Sequence, residues 1–262
     1  MALTSRSTID VSNPDLREET PQEGERNKQW LARIGNQDGI ILLGGSSLAD
    51  FRVRVAQSSL RGDMLPSYWS LCGILLAGEV FASVPLGPGS DISAVPKNNA
   101  VRMCPFVEYD DPKLYPNIAA IRFAKLHDAV HNDIRRLQTD RSIIDLPALM
   151  LPWLGFVWGT SGAANPLLNG IGLPSAAFVE TVFAIAGFEL TPGLSSASSC
   201  PEAIWQSAKW WTDFYKRAAN VPTAGKAKSA KGKSRKDEAP RALAMVPTGS
   251  FALRQRSAAI IE

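Results

Sequence analysis

Residues 65–76 read LPSYWSLCGILL. A Trp-Ser pair opens there into an apolar run that holds Cys72, and the reading of that run decides the fold. Its length and its upstream Pro66 predict a strand over 68–76. A cysteine in such a place is a nucleophile, a ligand or a small apolar residue. Free cysteine is among the most buried residue types, and Cys72 reads as core. Upstream, residues 39–43 (GIILL) precede Gly44-Gly45 and predict a buried strand followed by a turn. Downstream, residues 79–84 predict a third strand. Between them, Leu48, Phe51 and Val55 recur at helical steps over 46–59. Residues 51–55 (FRVRV) also alternate, so a strand stays open there.

Residues 99–107 predict a further strand, stopped by the turn-rich 110–117 (DDPKLYPN). Over 118–137, Ile121, Ala124, Leu126, Val130 and Ile134 share one side of a helix. The Trp-rich stretch 146–172 is interrupted by Pro147 and Pro152. Residues 176–186 predict a helix closed by Gly187. Residues 201–219 predict another, carrying Trp205, Trp210, Trp211 and Phe214.

Of the 262 residues, 45% are apolar and 20% charged, the balance of a chain able to bury a core. The net charge of +3 is unevenly spread. Residues 221–262 hold nine Lys/Arg against three acids, and the rest holds 19 against 22. The basicity therefore belongs to the tail, which argues against a nucleic-acid-binding body. Three cysteines without paired spacing argue against a disulfide framework and for a reduced, cytoplasmic setting. The first 20 residues contain no apolar segment of secretory type, and no window is long and apolar enough to span a membrane. Residues 1–29 read as a polar arm, 30–218 as one folded domain, and 219–262 as a basic, largely extended tail. The apolar residues after 243 look like a sticky end that docks onto something.

Three further features invite chemistry. His127 and His131 are four apart in LHDAVHND and could chelate a metal from one helix face. The residue after His127 is Asp128, not the glutamate of a zinc-protease motif, so polar histidines on a solvated helix are the simpler reading. Gly44-Gly45-Ser46-Ser47 follows a strand but lacks the lysine of a phosphate loop, and reads as a turn with a serine N-cap. Ser175 likewise reads as an N-cap. Trp210 and Trp211 are adjacent, so one of them is available to a partner. The run Lys226, Lys228, Lys231, Lys233, Arg235 and Lys236 reads as a solvated linker with an anionic surface as the alternative partner.

The order GIILLGGSSLADFRVRVAQSS, LPSYWS-x-x-GILL, GIGLPSAAFVETVFAIAG over 39–187 resembles the circularly permuted NlpC-type branch of the papain-like superfamily. The resemblance implies an α+β fold, a small antiparallel sheet packed against helices. It also implies a general-base histidine where this chain has Leu71, and a nucleophilic cysteine at Ser175 or Pro174. The polar group orienting the histidine would be Glu79 or Ser83. A leucine cannot take a proton, and a serine without a base is a poor nucleophile. The expectation is a pseudoenzyme without a cofactor, used for binding or assembly, with other proteins as partners through the arm and tail. The competing expectation is an active hydrolase or acyltransferase on an amide or thioester, using Ser175 or Cys72 with His127 or His131. A third is an accessory protein whose tail binds nucleic acid.

Overall fold

The run holding Cys72 forms a strand, Leu71–Leu76, buried at every position. It belongs to a computed structural model that describes residues 16–35, 38–86, 98–122, 128–160, 162–219 and 248–256. In chain order the strands are β1 (Leu16–Glu18), β2 (Gly39–Gly44), β3 (Leu71–Leu76), β4 (Val80–Ser83), β5 (Arg102–Pro105), β6 (Asn117–Arg122) and β7 (Thr248–Leu253). They form one sheet in the order β1-β7-β6-β2-β3-β4-β5. The β1–β7 pair is parallel and the other pairings are antiparallel. The described helices are α1 (Asn27–Arg33), α2 (Leu48–Ala56), α3 (Asp128–Thr139), α4 (Leu146–Val157), α5 (Pro174–Ile185) and α6 (Pro201–Ala219). The architecture is α+β around a mixed seven-stranded sheet. It is larger than the small antiparallel sheet that the resemblance implies, because both ends of the chain add strands.

β2 and β3 lie mid-sheet and are apolar on both faces, so their sequences run continuously instead of alternating. Their register pairs Leu42 with Cys72 and Leu43 with Leu71. Leu42, Cys72 and Ile74 thereby join the apolar cluster shared with α2 to α6. Leu43, Leu71 and Leu75 join a second cluster, with Trp30 and Leu31 of α1 and with Phe106 and Tyr109. A slip of one residue would exchange the two sets. Residues 174–183 of α5 are all buried, as an all-round apolar helix requires. It lies along β3 and ends at Gly187, whose φ of +84° closes the turn, with the Phe188 N–H donating to the Phe183 carbonyl at 2.8 Å.

The alternatives left open at 46–59 resolve to a helix: Ser47 caps α2, accepting the Asp50 N–H at 3.1 Å. Residues 118–137 are not one helix. Asn117–Arg122 is β6, bonded on one side to β2 and on the other to β7, and α3 follows at Asp128. A six-residue apolar run carries no periodicity that separates strand from helix. α4 accommodates Pro147 in its first turn and Pro152 inside, where the missing N–H costs a bond that packing offsets. The Trp153 indole donates to the Gly172 carbonyl at 2.8 Å and ties this helix to the segment before α5.

The folded body also extends past residues 30 and 218. β1 lies inside the expected arm and β7 inside the expected tail. β7 sits between β1 and β6. Phe251 packs edge-on against Trp205 with centroids 5.1 Å apart. Arg254 donates to Asn27 Oδ1 at 2.7 Å and to the Glu25 carbonyl at 3.0 Å. Of the sticky end, the described part, Thr248–Leu253, docks on the chain's own sheet. Among the described residues no helix is long and apolar enough to cross a membrane.

Candidate functional site

β2 ends and β3 begins at the same end of the sheet, and a cavity of about 350 Å³ opens there. The double glycine shapes it. A Cβ on Gly44 would stand 1.9 Å from the Tyr68 carbonyl oxygen, and one on Gly45 would stand 2.1 Å from Asp50 Oδ2. Only glycine lets that carboxylate lie across the chain. Asp50 is held there by two hydroxyls: Ser47 Oγ donates at 2.6 Å and Ser70 Oγ at 2.7 Å. Ser70 Oγ in turn accepts the Gly45 N–H at 3.0 Å. The Gly-Gly-Ser-Ser turn is thus a capped helix start with an acidic group laid over it.

Leu71 and Ser175 both line this cavity. Their surroundings differ from those inferred from the sequence. Strand parity turns Cys72, and not Leu71, toward the first turn of α5. The Cys72 N–H lies 3.5 Å from Ser175 Oγ, and Cys72 Sγ lies 3.8 Å from it. The side of β3 that was expected to carry Cys72 away from Ser175 carries it toward Ser175. Cys72 is nonetheless core, with no exposed surface. Burial pushes its thiol well above the ordinary range, with the Ser175 contact opposing. Ser175 is not the N-cap of α5. That place is held by Leu173, with Pro174 first in the helix and Ser175 second. The residue is 1% exposed, and its hydroxyl accepts in both contacts with Cys72.

Neither Glu79 nor Ser83 reaches the cavity. Glu79 lies exposed in the turn between β3 and β4, and Ser83 is paired with Gly73 within the sheet. His131 is exposed on α3, and His127 lies outside the described residues. So do Lys226, Lys228, Lys231, Lys233, Arg235 and Lys236. Trp210 is 49% exposed and borders a shallower hollow with Pro192 and Gln206. Trp211 donates its indole N–H to the Leu190 carbonyl at 3.0 Å, and the two rings stand 4.8 Å apart.

Three carboxylates escaped the sequence reading. Asp50 had a signal, the Ser47-x-x-Asp50 spacing of a helix start. Glu180 and Glu202 had none. Glu180 accepts from Thr191 Oγ1 at 2.7 Å and Ser199 Oγ at 2.9 Å. Glu202 accepts from Ser67 Oγ at 2.6 Å and Gln206 Nε2 at 2.5 Å, and its N–H donates to Gln57 at 2.9 Å. Burial raises both carboxyls, with these bonds opposing. Nearby Cys200 is pushed up to about 12 by burial. No protein family, curated protein or solved structure matches this chain.

Proposed function

We propose that this chain is a catalytically degenerate protein of papain-like type that serves as a binding or structural component of a larger protein assembly. The observation that carries the reading is that Leu71 and Ser175 line one cavity at the start of α5. These are the positions at which the resemblance would put base and nucleophile. A leucine takes no proton, and a serine hydroxyl needs an adjacent base to attack. The partners are other proteins, met through residues 1–15 and the basic segment between α6 and β7, in a cytoplasmic setting.

The Cys72–Ser175 contact is the one observation on the side of an active hydrolase or acyltransferase. A thiol raised by burial is not the thiolate such chemistry needs.

The test is affinity capture from the source organism with the full chain. The comparison is a variant in which Lys226, Lys228, Lys231, Lys233, Arg235 and Lys236 are all glutamine. Cutting the chain at Asn220 would be the wrong comparison, because it removes β7 from the sheet. Stoichiometric protein partners lost from the variant are the expected result. Capture of neither by any protein overturns the assembly reading. Nucleic acid retained with a steep salt dependence would replace it with an anionic partner.

A further inference from the structure

We propose that the cavity at the start of α5 binds a small organic amine with an apolar body, seated on the Asp50 carboxylate. The proposal rests on the cavity lining alone and needs neither the papain-like resemblance nor the assembly role. The volume falls within the range of small-molecule sites. Among the described residues Asp50 is the one charged side chain in the lining. A carboxylate has about four acceptor positions, and Ser47 and Ser70 occupy two. Those two hydroxyls fix its orientation before a ligand arrives, which lowers the cost of binding. Tyr115 shares the lining, and its phenol is kept protonated by burial first and by the charge of Asp50 second. An anion would face this carboxylate at close range. The Gly45 N–H, the donor a phosphate would want, is already given to Ser70.

The remainder of the wall is apolar: Leu71, Val84, Leu86, Val157 and Leu173. Burying a methylene there raises affinity about fourfold. Ser175 adds a polar point on the wall. Its oxygen accepts from Cys72 in both contacts, which leaves its own proton for an acceptor on the ligand.

The experiment is calorimetric titration of the full chain with n-alkylamines of rising length, and with the matching alcohols and carboxylates. Amine affinity should rise about fourfold per methylene until the cavity is filled, with the carboxylates at least about tenfold weaker. Asp50→Asn should cost the amines about tenfold or more and leave the alcohols unchanged. Ser175→Ala should leave plain amines unchanged and weaken ω-amino amides. Equal binding of amines and carboxylates, no binding of amines, or amine binding indifferent to Asp50→Asn overturns the proposal. Should Asp50→Asn fail to fold, amide shift mapping on the unmodified chain decides. Perturbations by the amine centred on 46–50, 70–71 and 173–175 support the site, and perturbations elsewhere overturn it.

Discussion

Two of the buried polar groups on helix α5, Glu180 and Ser175, have opposite surroundings. Glu180 lies in a closed cluster, its carboxylate taken by Thr191 and Ser199. Ser175, five residues earlier, borders a cavity and faces the cluster of Asp50, Ser47 and Ser70 across it. The chemistry is the same on both sides, an acid held by two hydroxyls. The closed cluster, with Glu202 beside Ser67 and Gln206, fixes the segment after α5 and the start of α6 onto the core. The open one holds a carboxylate at the wall of a cavity. Polar groups saturated by the protein are structural, and those that end at a cavity are the ones to suspect of binding.

The contrast is open to attack at several points, beginning with the largest effect. Native Cys72 should alkylate at least about 100-fold more slowly than a free thiol, since burial suppresses the thiolate. Iodoacetamide followed by intact mass should show no adduct until urea unfolds the chain. Rapid modification of Cys72 would make the pair with Ser175 reactive and reverse the roles of the two sides. Glu202→Ala should cost about 3 kcal/mol in urea unfolding, because it strands the Ser67 and Gln206 groups that the carboxylate satisfies. A loss below about 1 kcal/mol would show that the closed cluster does not hold the fold.

The closed cluster also has a pH signature. Burial raises the folded-state carboxyls of Glu180 and Glu202 above their usual value near 4.5. The folded protein then binds these protons more tightly than the unfolded chain. Their contribution is fully present below about 4.5 and is lost as pH rises through the raised values. Other carboxyls, such as Glu25 and Asp63, are lowered by arginine partners and act in the opposite sense. The clean reading is therefore the difference between wild type and Glu180→Gln, whose stability gap should narrow or invert as pH rises. A gap that stays constant from acid to neutral pH would mean that Glu180 is not strained by burial. The smallest effect belongs to the open side: Ser175→Ala should shift stability by no more than about 1 kcal/mol.

The parts legible in the sequence were those whose signal is local. The β2 and β3 runs, the Ser47 cap, the Gly187 stop and α6 each follow from a few adjacent residues. β6 was misread because NIAAIR gains its strand character from β2 and β7, which lie far away in sequence. The orientation of Cys72 failed for a related reason. Parity shows that Leu71 and Cys72 part company, but only the position of α5 says which of them meets Ser175. Glu180 and Glu202 were invisible because Thr191, Ser199 and Ser67, which donate to them, come from separate segments. The cavity was half legible: Leu71 and Ser175 were both named, and the carboxylate of Asp50 was not.

The placement of β7 has a mechanical consequence. Residues 220–247, which include the whole basic run, leave from α6 and return to a strand locked between β1 and β6. The stretch is therefore joined to described elements at both ends. A partner that grips the lysines pulls on two anchored points, one of them a strand next to the edge of the sheet. Conversely, a single protease cut between α6 and β7 leaves β7 clamped by its neighbours, so the nicked chain should migrate as one body until denatured.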